Sequence, residues 1–165
     1  MNFTIRPWST EDLDSLVKNA NNDKVGKYLR DIFPYPYTRE DGKKFIAMVM
    51  SEQENKIYAI DVNGNAVGAI GIHPQTDIMR KNAELGYWLG EAYWGNGIIS
   101  KAIAQIIPVA FNTFDINRLF AGCFGANIPS QKVLEKNGFI LEARIEKVYF
   151  KNGHFDDQLI YSLRK

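Results

Sequence analysis

At 165 residues and 18.8 kDa the chain has the length of one domain, and 45% hydrophobic with 24% charged residues is the balance of an ordinary globular protein. Twenty basic against nineteen acidic side chains leave a net charge of +1, which argues against DNA or an anionic membrane as the main partner. Cys123 is the single cysteine and has no cluster of ligands around it, so a disulfide framework and a structural zinc site are excluded. No apolar run approaches the ~18 residues needed to span a bilayer. The opening Met1-Asn2-Phe3-Thr4-Ile5-Arg6 lacks the apolar core of a signal peptide. We expect one domain over residues 1–165, soluble and cytoplasmic, with no metal and no internal repeat.

Phe3-Thr4-Ile5-Arg6 reads as an opening strand. Ser9-Thr10-Glu11-Asp12 is a helix start with early acidic residues, and Leu13, Leu16, Val17 and Ala20 follow at helical spacing. A second helical stretch from Asp23 to about Arg30 runs into Phe33-Pro34-Tyr35-Pro36-Tyr37, which two prolines make a loop. Thr38, with Asp41 three residues on, caps a third helix carrying Phe45, Ile46, Val49 and Met50. The period then changes. Ile57–Val62 and Ala66–Ile72 alternate as strands around Asn63-Gly64, a strong hairpin signal, and Ala83–Leu89 reads as a further strand. Ile98–Phe114 predicts a helix that Pro108 should kink or loosen by a turn; Arg118–Phe124 a strand; Asn127–Asn137 a helix. Two closing strands meet at Asn152-Gly153. This order predicts a mixed α/β sheet, partly antiparallel, and not a doubly wound parallel one.

Two segments carry chemistry. In Trp88-Leu89-Gly90-Glu91-Ala92-Tyr93-Trp94-Gly95-Asn96-Gly97-Ile98-Ile99-Ser100 a strand passes through a glycine turn straight into a helix. Free amides at a helix start, with the positive end of the dipole, bind phosphate well. The turn is not a P-loop, since no Gly-Lys-Ser/Thr follows, and it lacks the third glycine of a dinucleotide fingerprint. A tight turn without a ligand explains the same residues. In Asn127-Ile128-Pro129-Ser130 through Asn137-Gly138-Phe139, Asn127 suits an N-cap, Pro129 the first turn, Lys136 the C-terminal dipole and Gly138 the helix end, with Phe139 placed to pack on Leu134.

Taken together these segments resemble the GNAT acetyltransferases, within them the RimJ/RimL-type branch of ribosomal-protein N-terminal acetyltransferases. The resemblance is carried by Tyr28-Leu29 with Pro34–Asp41, by Ala83–Leu89, by Tyr93–Ala102, by Asn127-x-x-Ser130 to Phe139, and by Gly153-x-x-x-Asp157 with Tyr161-Ser162-Leu163. It implies a central, mostly antiparallel mixed sheet flanked by helices, acetyl-coenzyme A as donor, and a primary amine as acceptor. That acceptor would be a protein N-terminus or a small molecule. Two positions depart from the general family pattern: Trp94 stands where Gln or Arg is usual, although this branch often carries Trp, and Ile99 stands where Gly or Ala is usual.

The resemblance also implies roles. Amides from Asn96 through Gly97, Ile98 and Ile99 to Ser100, in the turn begun by Trp94 and Gly95, would hold the pyrophosphate. Backbone groups at Trp88, Leu89 and Gly90 would pair with the pantetheine arm and polarise the thioester carbonyl. Asn127 and Ser130 would contact the arm and sulfur; Lys136, like Lys132, could reach the adenosine phosphate or be a solvated surface lysine. Glu84 is the candidate base acting through water, or else a structural ion-pair partner. The tyrosine many relatives place seven residues after the helix asparagine is Leu134 here, so Ser130 becomes the candidate donor to sulfur, with Tyr149 and Tyr87 as weaker choices. Tyr35 and Tyr37 would line the acceptor site or pack between helices. His73, His154 and Cys123 read as non-catalytic. The rival expectation is a non-catalytic acyl-coenzyme A sensor; a homodimer is left open.

Overall fold

The helix signals at Ser9, Thr38 and Asn127 all become caps in the computed structural model, which describes residues 1–51 and 56–165. The strands are β1 (Thr4–Arg6), β2 (Lys56–Val62), β3 (Asn65–Pro74), β4 (Asn82–Leu89), β5 (Arg118–Phe124), β6 (Ile140–Lys151) and β7 (His154–Arg164). The helices are α1 (Leu13–Ala20), α2 (Asp23–Gly26), α3 (Arg39–Ser51), α4 (Ile98–Thr113) and α5 (Ile128–Lys136). Along the sheet the order is β1-β2-β3-β4-β5-β7-β6. β4 and β5 run parallel, whereas β1–β2, β2–β3, β5–β7 and β6–β7 pair antiparallel. This is the mixed, mostly antiparallel sheet with flanking helices that the sequence predicts. Both hairpins turn as their dipeptides require, with positive φ at Asn63 (53°) and Gly64 (81°) and at Asn152 (51°) and Gly153 (77°).

Two elements differ from expectation. The helix predicted from Asp23 to Arg30 stops at Gly26, a poor helix former, and continues only as a turn in which the Leu29 amide bonds the Gly26 carbonyl at 3.1 Å. The segment opened by Ser9 begins with a 3-10 turn, Thr10–Asp12, before α1. α4 continues through Pro108 to Thr113.

The chain divides into two units, residues 1–72 with 86–102 and residues 73–85 with 103–165. In the first, the apolar faces of α1 and α3 close on β2 and β3. Trp8, Leu16, Ala20, Tyr37, Ile46, Ala59, Ala66 and Ala69 form its buried cluster, with Phe33, Phe45 and Trp88 packed against it. Burial of this apolar surface, worth about 25 cal/mol per Å² removed from water, is its main stabilisation. In the second, Leu119, Ala121 and Cys123 alternate into the interior along β5, and Leu134, Phe139, Leu159 and Tyr161 are buried with them.

A charged group joins β1, β2 and the Ser9 turn in the first unit. Arg6 clasps Asp12 through two nitrogens, at 2.9 and 2.7 Å, and reaches Asp61 at 2.8 Å. Burial alone would raise Asp12, which is only 4% exposed, but hydrogen bonds from Arg6 and the Ser9 amide, with the Arg6 charge, outweigh it and hold the carboxyl below its ordinary value. A depressed carboxylate stabilises the fold above its unfolded value of about 4, and that stabilisation is lost as pH falls through the folded value. The urea midpoint is therefore expected to drop on acidification below about pH 4, and Asp12→Asn should start lower and flatten that dependence.

Candidate active site

The end of β4 is fixed by glycines that let two backbones meet. A Cβ on Gly68 would stand 2.4 Å from the Trp88 carbonyl, and one on Gly90 would stand 2.4 Å from Asn19 Oδ1. Asn19 is itself held to the Ser15 carbonyl at 2.8 Å, and the Gly90 amide donates to the Val67 carbonyl at 2.8 Å. Glu91 follows in a short 3-10 turn, Glu91–Tyr93, and is bracketed by Lys24 and by the Asn22 amide at 2.8 Å. The Lys24 and Asn22 hydrogen bonds hold its carboxyl below the ordinary range. Sequence reading did not single out Glu91: its partners lie 67 and 69 residues upstream, and only the fold brings them together.

The turn itself is built from Gly95 and Gly97, with φ of 74° and 72°, a region that L side chains rarely adopt. No atom lies within 4 Å of where a Cβ would stand on either. Asn96 folds its side chain back onto the Tyr93 and Trp94 carbonyls, at 3.1 and 3.0 Å, which fixes the turn from within. Ile98 and Ser100 turn inward, Ile99 is half-buried, and the turn residues are exposed. The first amides of α4, at Ile98 and Ile99, have no carbonyl one turn behind them, as at any helix start; the Lys101 amide is bonded to Gly97 at 3.1 Å. The first turn of α4 contains no acidic residue. An open glycine turn and a helix start whose first turn carries no acid fit an anionic pyrophosphate.

Trp94 also has a local structural task. Its indole Nε1 donates to the Leu89 carbonyl at 2.8 Å, tying the turn to the end of β4, while the ring is 46% exposed. Of the three backbone positions expected to serve the thioester, Gly90 has already given its amide to Val67. Trp94→Phe keeps a smaller aromatic ring and deletes this bond. It is expected to weaken acetyl-coenzyme A binding about 3- to 10-fold at nearly unchanged melting temperature, checked by calorimetric titration.

Tyr37 is core. It is 5% exposed, its ring lies 5.1 Å from Phe33, and Phe33 lies 5.4 Å from Trp88. Burial, with the Asp41 charge, pushes its phenol up to about 12, so it stays protonated. Tyr35, at 60% exposure, is the one of the pair that presents surface to a ligand.

In the second unit Glu84 stands half-buried in β4, across from Phe120 of β5. Asn127 caps α5, its Oδ1 accepting from the Ser130 amide at 3.3 Å, and Ser130 is half-buried in the first turn. Gln131 reaches back to the Gly125 carbonyl at 2.8 Å. Lys132 and Lys136 are exposed. Gly138, at φ 85°, ends the helix, and the Phe139 amide bonds the Leu134 carbonyl at 3.1 Å. Leu134 is fully buried, so the position where many relatives carry tyrosine is an apolar core position here. Burial, with the Asp156 and Glu135 charges, pushes the Cys123 thiol up to about 11, far from a reactive thiolate. Tyr149 stacks 4.5 Å from Phe124; His154 is exposed and His73 half-buried at the end of β3. Among the described residues no group of three or more His, Cys, Asp or Glu is placed to hold a metal ion, and no helix is long and apolar enough to cross a membrane.

Comparison with known proteins identifies the family. The family model described as acetyltransferase (GNAT) domain matches residues 2–140. A ribosomal-protein-serine acetyltransferase of Escherichia coli (strain K12) is 32% identical over 128 residues, which cover 76% of this chain and 71% of that one. An N-acetyltransferase of Bacillus licheniformis, p20, is 28% identical over 168 residues, 99% and 93% of the two chains. Among solved structures, the microcin C7 self-immunity acetyltransferase MccE, in complex with acetyl-CoA and AMP, superposes with a TM-score of 0.84 at 26% identity, covering 99% of this chain and 92% of that one. RimL, the ribosomal L7/L12 alpha-N-protein acetyltransferase in complex with coenzyme A, shares the fold with a TM-score of 0.85 at 22% identity, covering 99% and 94%.

Proposed function

The chain belongs to the GNAT family of acetyltransferases, and on that premise we propose that it moves the acetyl group of acetyl-coenzyme A to a primary amine by direct attack within a ternary complex. The observation that carries the donor half is the open Gly95–Gly97 turn leading into an α4 whose first turn has no acid. In this reading the amides from Asn96 to Ser100 neutralise the pyrophosphate, and the backbone at Trp88 and Leu89 pairs with the pantetheine arm and polarises the thioester carbonyl. Losing one such donor typically costs about 10²–10³ in rate.

The acceptor must attack as a neutral amine. Glu84, through a water, takes the proton from the amine; the nitrogen lone pair forms the new C–N bond as the C–S bond breaks. The departing sulfur resembles a thiol of pKa about 8.5 and needs only a weak donor, a role given to Ser130 because Leu134 has none to offer. Lys136 and Lys132, both exposed, are the cations this reading offers to the adenosine phosphate, and the same reading puts the enzyme in the cytoplasm. Buried Leu134 is also the observation that favours the sensor reading.

One experiment separates them. Titration with acetyl-coenzyme A, followed by thiol-release assays on a panel of amines and N-terminal peptides, should show binding and turnover. Tight binding without turnover on any amine would leave a sensor. Absence of binding would limit the resemblance to the fold.

A further inference from the structure

From Glu91 to Gly97 no side chain is buried, although Gly90 before them and Ile98 after them are. Burial of apolar surface therefore does not set the pose of this stretch, and polar bonds must. Two of them are local: Trp94 Nε1 closes on the Leu89 carbonyl, and Asn96 on the Tyr93 and Trp94 carbonyls. Glu91 instead reaches another element of the same unit. Lys24 Nζ lies 2.5 Å from one of its carboxylate oxygens, and Asn22 Nδ2 donates to the other at 2.8 Å. The Glu91 carbonyl accepts from the Trp94 amide at 3.1 Å, so the grip is passed along the stretch within one turn.

What Glu91 grips is itself fixed. Asn22 Oδ1 caps α2 by accepting from the Lys24 amide at 2.9 Å, and the Asn22 carbonyl takes the Val25 and Gly26 amides, each at 3.1 Å. Beside it Asn21 Oδ1 accepts from the Tyr37 amide at 3.0 Å, and Asn19 lies against Gly90. Asn22 thus uses its oxygen on the helix and its amide nitrogen on Glu91, which leaves the side chain one orientation.

A carboxylate is the wrong charge to place just before a turn that takes an anion. The ion pair is also exposed, Lys24 at 63% and Glu91 at 37%, and such a pair contributes little to folding stability. Neither attraction for the ligand nor stability accounts for Glu91, whereas holding the stretch in place does. We propose that Glu91 is a positioning residue: it clasps Asn22 and Lys24 so that the entry to the Gly95–Gly97 turn already has its binding pose when acetyl-coenzyme A arrives. This rests on the reading of that turn as the pyrophosphate site. Preorganisation of this kind acts on affinity for the ligand and leaves the chemical step alone.

The sign of one effect tests it. If charge alone counted, removing a carboxylate near an anion site would tighten binding; the clasp requires that binding weaken. Glu91→Ala, which loses both bonds, is expected to raise Kd and KM for acetyl-coenzyme A about 10-fold by calorimetric titration and steady-state kinetics. Its kcat should stay within about twofold, its titration stoichiometry near that of wild type, and its melting temperature within about 2 °C. Glu91→Gln keeps an oxygen for Asn22 and should fall between Glu91→Ala and wild type. Lys24→Met should weaken binding about 3-fold on its own and add nothing to Glu91→Ala, because the two remove a shared interaction. Glu91→Ala binding as tightly as wild type or more so, losses that add in the double variant, or a fall in stoichiometry or melting temperature in place of affinity would overturn the clasp while leaving the acetyltransferase reading intact. A wild type that binds no acetyl-coenzyme A would overturn both.

Discussion

Replacing Glu84 with glutamine is expected to lower kcat/KM for an α-amine about 100-fold, the lower end of what a general base contributes. The low end is the right one because the acceptor is already partly neutral near pH 7. Glutamine keeps the size of the side chain, so the β4–β5 register opposite Phe120 survives and acetyl-coenzyme A titration reports whether binding has changed. The loss should shrink as pH is raised through the amine's own titration near 8, because a neutral amine no longer needs its proton removed before attack. Unchanged rates with every amine at every pH would remove Glu84 from the mechanism and return it to a structural role.

The second large effect is on stability. Gly68→Ala puts a methyl 2.4 Å from the Trp88 carbonyl oxygen and 3.0 Å from the Leu89 Cα, both of them backbone. Neither can swing aside as a side-chain tip can, so β3 and the end of β4 must separate. Overpacking of this kind costs about 1–3 kcal/mol, which for a chain of this length is roughly 2–12 °C in melting temperature. The disturbance falls where β4 hands over to the glycine turn, so acetyl-coenzyme A affinity should fall with it. Thermal unfolding with and without acetyl-coenzyme A checks both, and a variant as stable as wild type would mean that the strands accommodate the methyl.

Elements whose cause is local were legible in the sequence. Asn63-Gly64 and Asn152-Gly153 set their hairpins because two positive φ angles need those residue types, and Asn127 with Pro129 and Gly138 writes both ends of α5. The glycine turn and the α4 start were legible for the same reason. What the sequence hid depends on partners far along the chain. Glu91 is held by Lys24 and Asn22, and Gly90 is glycine because Asn19 lies against it. Trp94 read as a ligand contact and is also a staple to Leu89; Tyr37 read as an acceptor contact or a packing residue and is core. Aromatic residues serve both ends equally well in one dimension.

β6 is the outermost strand at its end of the sheet and, at twelve residues, the longest strand of the described chain. Ile145, Val148 and Phe150 on it are all exposed. Such an edge would template a strand from another molecule and grow into a fibre. The register shift between Ile145 and Tyr149 breaks it in the middle: Lys147 there takes φ 51° and donates its amide to Asp157, which also pairs with Arg144. An incoming strand would meet a kinked ladder with a lysine at the break and could pair only over the short runs on either side. A bulged edge of this kind is a poorer template for an added strand than a straight edge of the same composition.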